Sequence, residues 1–81
     1  MFEIYTKPGC PFCDRAKDLI TAKGFQYVER VLDVGQVKEP NVEYFTVPQL
    51  HQLVPGARTV PQIFRDGQLI GGFEALRLNL K

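Results

Sequence analysis

Two cysteines separated by two residues, Cys10 and Cys13, are the side chains whose type and spacing are best suited to chemistry in this sequence. They lie where an apolar extended run ends and a helical pattern begins. At that place both sulfur atoms would lie on one side of the first helical turn, close enough to form a disulfide bond. A pair of this kind beside a βαβ pattern indicates thiol–disulfide exchange.

The expected helix start gives the two cysteines different roles. Unpaired N–H groups and the macrodipole at a helix N-terminus favour an anion, so Cys10 should be rich in thiolate at neutral pH. Cys13, one turn further along and flanked by apolar residues, should be less exposed. We therefore predict that Cys10 attacks a disulfide and that Cys13 attacks the mixed disulfide to release the product. Pro11 suits the first helical position because its φ is already helical.

Length and composition limit the other classes of function. The 81 residues allow one domain, residues 1–81, and ten basic against nine acidic residues give a net charge of +1. This balance makes no electrostatic case for nucleic acid or an anionic membrane. The sequence shows neither a signal peptide nor an apolar run of membrane-spanning length, so we expect a cytoplasmic protein. A structural disulfide of a secreted protein joins distant segments, whereas this pair would close almost nothing.

The elements around the cysteine pair are predicted to form a βαβ unit. Phe2 to Thr6 is typical of a strand, and a helical apolar stripe runs from residue 11 until Lys23-Gly24. The run from Phe25 to Leu32 is rich in aromatic and β-branched residues and predicts a second strand, parallel to the first. Breakers without a clean apolar period predict a loop over residues 33–45, with room for one helical turn.

The second half of the chain completes the predicted fold. Thr46 followed by Gln49 has the spacing of a capping box and predicts a short helix. Two extended runs flank Asp66-Gly67, a strong signal for a β-hairpin, and a last short helix follows over residues 73–80. The order β-α-β-α-β-β-α predicts an α/β, thioredoxin-like fold. Its four-stranded mixed sheet would combine a parallel pair with an antiparallel hairpin, covered by three helices.

The tetrapeptide Thr-Val-Pro-Gln occurs twice, at Thr46–Gln49 and at Thr59–Gln62. The first copy runs into helical spacing, where its proline would have an ordinary trans bond. The second copy places Pro61 at the start of a strand, where proline is allowed. A cis Val60–Pro61 bond would expose the backbone of Val60 beside the cysteines, where an extended peptide could pair with it. The pattern alone favours trans, because only about 5–6% of X–Pro bonds in folded proteins are cis.

The chain resembles the glutaredoxin family in four segments that occur in the right order. They are Tyr5–Cys13, Gly56–Phe64, Asp66-Gly67 and Ile70–Phe73, and they cover about half of the chain. The short length and the Gly-Gly-Phe ending followed by an acidic residue are most similar to small bacteriophage and bacterial members. The resemblance implies a cis Val60–Pro61 bond. It also implies glutathione-dependent thiol–disulfide exchange, with glutathione as the co-substrate.

The resemblance further implies a glutathione site built from three elements. Lys7 would pair with the glycyl carboxylate and would favour the Cys10 thiolate. The backbone of Val60, next to Pro61, would pair with the cysteinyl unit. The third element consists of Gly72, Phe73 and Glu74. Its backbone N–H groups at a helix start would hold the γ-glutamyl end, and its carboxylate would contact the amino group of that end.

The resemblance also implies that Phe12 contacts glutathione, and two positions of the site, Phe12 and Glu74, depart from the usual family pattern. Phe12 stands where many members have Tyr, so a hydroxyl contact is absent while apolar stacking on the ligand remains. Glu74 stands where Asp is usual, so its reach to the ammonium is one methylene longer. Residues 33–54 align poorly, and Gln49 and Gln52 are candidate contacts only.

The sequence gives weaker support for a functional role of other polar residues. Arg58 could contact a carboxylate or be an ordinary exposed arginine, and His51 is expected at the surface. A zinc site would need four ligands, whereas Cys10, Cys13 and His51 make three without a known ligand spacing, so no metal site is expected. Pro11 argues against an iron–sulfur cluster bridged between two chains, because family members that form one mainly have another residue there.

The leading interpretation is a dithiol glutaredoxin that reduces protein disulfides and glutathione mixed disulfides and is itself reduced by glutathione. It is expected to be a monomer, and ribonucleotide reductase is a client that the family commonly serves. One alternative is a redoxin reduced by thioredoxin reductase. Those members have a Ser-Gly-Phe-Arg-Pro type of segment where this chain has Gly71-Gly72-Phe73-Glu74. The other alternative is a non-catalytic glutathione-binding or iron–sulfur-binding module.

Overall fold

A computed structural model describes residues 1–81 and contains five strands and three helices. The strands are β1 (Phe2–Thr6), β2 (Tyr27–Leu32), β3 (Glu43–Phe45), β4 (Gln62–Arg65) and β5 (Gln68–Gly71). The helices are α1 (Pro11–Ala22), α2 (Val47–Leu53) and α3 (Phe73–Asn79). The strands form one sheet in the order β3-β2-β1-β4-β5, so the loop that carries the cysteines leaves the central strand.

The sheet is mixed, as the sequence predicts. Strand β1 is parallel to β2 and antiparallel to β4, and β4 pairs with β5 in the predicted hairpin. The three helices also occur in the predicted order. None of these helices is long and apolar enough to cross a membrane.

The prediction of four strands is wrong, because β3 adds a fifth strand within the segment expected to be a loop. Strand β3 lies parallel to β2, with Leu32 opposite Phe45 and Arg30 opposite Glu43. The Arg30 guanidinium bridges Glu43 at 2.9 Å and Glu3 of β1 at 2.6 Å, and the Phe45 side chain is only 3% exposed. Three residues are too few for a strand period, so these long-range contacts define β3 rather than its local pattern.

The predicted boundaries elsewhere agree with the structure to within a few residues. Helix α1 ends before Lys23-Gly24 as expected, and Gly24 has the left-handed φ of +82° that favours glycine at this position. Strand β2 begins at Tyr27 rather than at Phe25, because the Phe25 N–H still donates to the Ile20 carbonyl of α1. Helix α2 begins after Thr46 with both hydrogen bonds of the predicted capping box.

The two faces of the sheet carry separate apolar clusters. Helices α1 and α3 cover the larger cluster, which consists of Phe2, Ile4, Ala16, Ile20, Ile63, Leu76 and Leu80. Helix α2 covers the smaller one, formed by Tyr5, Phe45 and Leu50. Phe2 and Tyr5 are buried as expected, whereas Phe64 and Phe73 are only half-buried and pack at the margins of the two clusters.

A polar contact connects the end of β1 to α1 across β2. The Thr6 hydroxyl donates to Glu29 Oε2 at 2.7 Å, and the Lys17 ammonium donates to the same oxygen at 3.0 Å. Burial lowers the pKa of Lys17, but the hydrogen bond and charge of Glu29 outweigh it and leave that pKa raised above its ordinary value. Glu29 therefore holds together the two elements that flank the cysteine loop.

Candidate redox site

The cysteine pair lies at the N-terminus of α1, as predicted. Cys10 is the N-cap residue with extended backbone, Pro11 occupies the first turn, and Cys10 and Cys13 form a disulfide bond. Their Cα atoms are 5.2 Å apart. The Cys13 N–H donates to Cys10 Sγ at 3.2 Å. A donor in this position would stabilise a thiolate on Cys10 once the disulfide is reduced.

The two sulfur-bearing residues differ in accessibility. Cys10 is 6% exposed and Cys13 is 1% exposed, in the order predicted from their positions along the helix. A second thiol therefore reaches the disulfide more easily at Cys10. Cys13 Sγ is bonded to Cys10 Sγ and is almost fully enclosed by the fold.

The Val60–Pro61 peptide bond is cis, which confirms the expectation that followed from the family resemblance. The Val60 carbonyl oxygen lies 3.8 Å from Cys10 Sγ, although the two residues are 50 positions apart in sequence. Pro61 is buried and Val60 is half-buried. The backbone of Val60 is thus next to the more accessible sulfur.

One groove of about 370 Å³ collects most of the residues predicted to bind glutathione. We call it the glutamate groove, after Glu74. Its lining consists of Phe12, Thr59, Val60, Pro61, Gly72, Phe73 and Glu74. The rings of Phe12 and Phe73 have their centroids 6.0 Å apart and their planes tilted by 44°. Gly72 is the N-cap of α3 and has no side chain to accept from the first-turn N–H groups. Those N–H groups remain without a side-chain cap at the groove wall.

Lys7 lines a second groove of about 410 Å³, which we call the lysine groove. Its other lining residues come from β2, β3, α2 and the segment before Pro61, and are Leu32, Phe45, Val47, Leu50, His51, Ala57, Arg58, Thr59 and Val60. Thr59 and Val60 line both grooves, so the two grooves meet at the backbone beside Cys10. The lysine groove carries two cations, Lys7 and Arg58, over a mostly apolar floor.

Several other residues have a structural explanation. The exposed His51 donates from Nε2 to the Ala57 carbonyl at 2.8 Å, and it is a surface residue as expected. The side-chain oxygen of Gln49 accepts from the Thr46 N–H in the capping box. No group of three or more His, Cys, Asp or Glu side chains is arranged to hold a metal ion.

Sequence reasoning missed two residues that act on the predicted site residues. The Arg15 guanidinium lies 5.2 Å from the centroid of the Phe12 ring, in cation–π geometry. Arg77 Nη2 and Nε both donate to Glu74 Oε2, at 2.8 and 3.2 Å. The spacing from 12 to 15 and from 74 to 77 is i to i+3 on a helix, which is the signal that could have found both pairs.

Comparison with known proteins gives a consistent result. The family model described as Glutaredoxin matches residues 2–70. Glutaredoxin 3 of Escherichia coli strain K12 is 40% identical over 74 residues, which are 91% of this chain and 78% of that protein.

Solved structures show the same likeness. The crystal structure of Glutaredoxin 1 from Francisella tularensis complexed with cacodylate is similar with a TM-score of 0.69 and 28% identity, covering 96% of this chain and 88% of that one. The structure of reduced Escherichia coli glutaredoxin is similar with a TM-score of 0.63 and 29% identity, covering 98% and 91%. The fold is therefore thioredoxin-like, and with its disulfide-forming cysteine pair at the start of α1 the chain belongs to the glutaredoxin family.

Proposed function

We propose that the protein is a glutathione-dependent thiol–disulfide oxidoreductase that reduces glutathione mixed disulfides and protein disulfides. The observation that carries this proposal is the position of Cys10. It caps α1, receives the Cys13 N–H, and lies 3.8 Å from the Val60 carbonyl, where the two grooves meet. A sulfur next to the backbone that both grooves share suits exchange with a tripeptide thiol.

In the proposed reaction with a glutathione mixed disulfide, the Cys10 thiolate attacks the glutathione sulfur. The bond between that sulfur and the client sulfur breaks, and the client leaves as a thiolate. A second glutathione thiolate then attacks the glutathione sulfur on Cys10, which releases oxidised glutathione and restores the Cys10 thiolate. This route uses one protein cysteine.

Reduction of a protein disulfide uses both cysteines. Cys10 attacks one client sulfur, and the other client sulfur leaves as a thiolate. Cys13 then attacks Cys10 Sγ in the mixed disulfide, releasing the fully reduced client and forming the Cys10–Cys13 disulfide. Two glutathione molecules return that disulfide to the dithiol and become oxidised glutathione. The buried position of Cys13 suits this second, intramolecular attack.

Glutathione would lie across both grooves with its sulfur at Cys10. Lys7 in the lysine groove would pair with the glycyl carboxylate, and Arg58 is the second cation available there. The Val60 backbone would form hydrogen bonds with the cysteinyl unit, in the manner of an added strand. Support comes from the Val60 carbonyl oxygen, which lies 3.8 Å from Cys10 Sγ.

The γ-glutamyl end would occupy the glutamate groove. The uncapped N–H groups of the first turn of α3, at Phe73 and Glu74, would bind its α-carboxylate, and the Glu74 side chain would face its ammonium. The Phe12 ring would pack on the aliphatic part of the ligand. Gly72 would keep the entrance free of a side chain.

The proposal also covers the cellular location, the oligomeric state and the clients of the protein. We place the protein in the cytoplasm as a monomeric, single-domain reductant of disulfide-containing clients. Ribonucleotide reductase, which the family commonly serves, is one such client. No metal takes part in the proposed cycle.

The first experiment measures NADPH oxidation coupled through glutathione and glutathione reductase, with a small mixed disulfide as substrate. Wild type, Cys10→Ser and Cys13→Ser are compared. Turnover should vanish in Cys10→Ser and should persist in Cys13→Ser, because deglutathionylation needs only Cys10. Reduction of a protein disulfide should fail in both variants.

Two other results would refute the proposal. A wild-type protein that is inactive with glutathione but is reduced rapidly by thioredoxin reductase would be a redoxin, and the glutathione contacts would be wrong. A protein that turns over neither way, and becomes brown when prepared with iron and glutathione, would be a cluster-binding module.

A further inference from the structure

The Glu74 carboxylate in the glutamate groove is already occupied by a side chain of the protein. Arg77 donates to Glu74 Oε2 through Nη2 and Nε, at 2.8 and 3.2 Å. No other protein donor reaches this carboxylate, and Oε1 faces no hydrogen-bond partner in the fold. The carboxylate that would select a ligand ammonium is therefore already paired with the guanidinium of Arg77, which is always charged.

Arg77 acts on Glu74 from outside the groove. It is absent from the residues that line the groove, whereas Glu74 is one of them. The pair also matches the polarity of α3, since Glu74 lies in the first turn and Arg77 in the last. Helix geometry thus keeps the guanidinium beside the carboxylate and does not bring it to the ligand.

We infer that Arg77 sets the ligand preference of the glutamate groove by holding Glu74 in an internal ion pair. This inference rests on the proposed function and deepens it. Arg77 is a positioning residue that acts through Glu74, and it makes the groove tolerant of ligands that lack a free ammonium. With a neutral residue in place of Arg77, the same groove would discriminate more strongly in favour of the ammonium of a γ-glutamyl group.

The expected size of this effect follows from exposure. The side chains of Arg77 and Glu74 are 56% and 71% exposed, so water and salt screen their interaction. Removing the Arg77 charge should therefore change ligand discrimination by about two- to fivefold, as is usual for exposed ion pairs. The change should shrink at high ionic strength.

The experiment compares two coloured substrates that differ only at the ammonium. One is the mixed disulfide of glutathione with an aromatic thiol that is coloured when released, and the other is the same compound with its α-amino group acetylated. Reduced protein is mixed with an excess of each substrate in turn. The Cys10 thiolate attacks the glutathione sulfur, and the aromatic group leaves as a thiolate, which is followed by absorbance. The concentration dependence separates the limiting rate from the half-saturation concentration.

The quantity compared between variants is a ratio of second-order rate constants at low substrate concentration. It divides the constant for the substrate with a free amino group by the constant for the acetylated substrate. Arg77→Met should raise this ratio about two- to fivefold through the half-saturation concentration, with the limiting rate unchanged. Arg15→Met removes an equal charge near Phe12 but leaves the ion pair in place, so it should not raise the ratio. In a Glu74→Gln background, Arg77→Met should have no effect. Far-UV circular dichroism checks that every variant is folded.

Different failures have different meanings. If Glu74→Gln lowers the ratio while Arg77→Met leaves it unchanged, Glu74 contacts the ammonium but the role of Arg77 is refuted. If Arg15→Met raises the ratio as much as Arg77→Met, general electrostatics explains the effect and the inference is refuted. If the wild type reacts with neither substrate, the proposed function itself fails.

Discussion

Replacing Glu29 by Gln tests whether the contact that connects β1 to α1 stabilises the folded protein. Glu29 Oε2 accepts from the Thr6 hydroxyl at 2.7 Å and from the Lys17 ammonium at 3.0 Å. Gln has the same shape and retains one oxygen, so the substitution removes the charge and leaves the packing. The expected result is a loss of stability without a change of fold.

The magnitude follows from the loss of the carboxylate charge, which makes the hydrogen bond from Thr6 neutral and removes the ion pair with Lys17. Bonds to a charged group contribute about 1.5–3 kcal/mol and neutral ones about 0.5–1.5 kcal/mol. The side chains of Lys17 and Glu29 are 24% and 28% exposed, so solvent screens part of the difference. We therefore expect Glu29→Gln to lower the free energy of unfolding by about 1 kcal/mol, allowing for this screening. In a domain of this size that corresponds to about 4–8 °C in Tm.

The assay is urea unfolding of the oxidised protein, followed by far-UV circular dichroism, for Glu29→Gln, Thr6→Val and the double variant. Thr6→Val is the matched partner, because it removes the donor and conserves the shape of a residue that is 2% exposed. The two losses should be non-additive by about 0.5 kcal/mol or more, since the residues share a hydrogen bond. Additive losses, or a Glu29→Gln variant as stable as wild type, would refute the reasoning.

The same contact predicts a pH dependence at the alkaline end. Hydrogen bonding to Glu29 outweighs burial and raises the pKa of Lys17 in the folded protein above its ordinary value of 10.5. The folded state therefore binds the proton more tightly, and this stabilisation is complete below pH 10.5 and is lost as the pH rises through the higher folded value. The stability difference between wild type and Lys17→Met should be constant at neutral pH and should shrink above that point. A difference that grows with pH would contradict this sign.

Three further predictions concern stability, and urea unfolding measures each. Phe45→Ala removes an almost fully buried ring from β3 and should cost about 3 kcal/mol; an unchanged midpoint would show that β3 does not anchor the α2 face. Thr46→Ala removes the capping box and should cost about 1 kcal/mol, whereas Thr59→Ala in the second tetrapeptide caps no helix and should cost much less; equal losses would contradict the capping assignment. Gly71→Ala should cost about 1–3 kcal/mol, because Gly71 has a φ of +126°, while Gly72→Ala, at a φ of −88°, should be milder.

The features that could be predicted from the sequence are those with local signals. The helix that begins after Cys10, the capping box at Thr46 and the hairpin at Asp66-Gly67 each depend on residues a few positions apart. The cis bond before Pro61 could not be derived from local pattern, which favours trans. It came from the resemblance of the whole segment to a known family.

The features that sequence reasoning missed depend on contacts between distant segments. Strand β3 is three residues long, and the pairing of Arg30 with Glu43 becomes visible only when the register of β2 is known. The meeting of Thr6, Lys17 and Glu29 likewise needs the packing of α1 on the sheet. Arg77 is a different case, since its i+3 spacing from Glu74 is visible in the sequence itself.

The shortness of the two outer strands has a consequence for self-association. Strand β3 has three residues and β5 has four, so each sheet edge offers a second copy of the chain few free backbone groups. Long flat edges act as templates for aggregation, and short edges with charged side chains such as Glu43 resist it. Both edges of the sheet therefore leave little backbone free for strand pairing with another copy, and at β3 the charge of Glu43 adds to this protection.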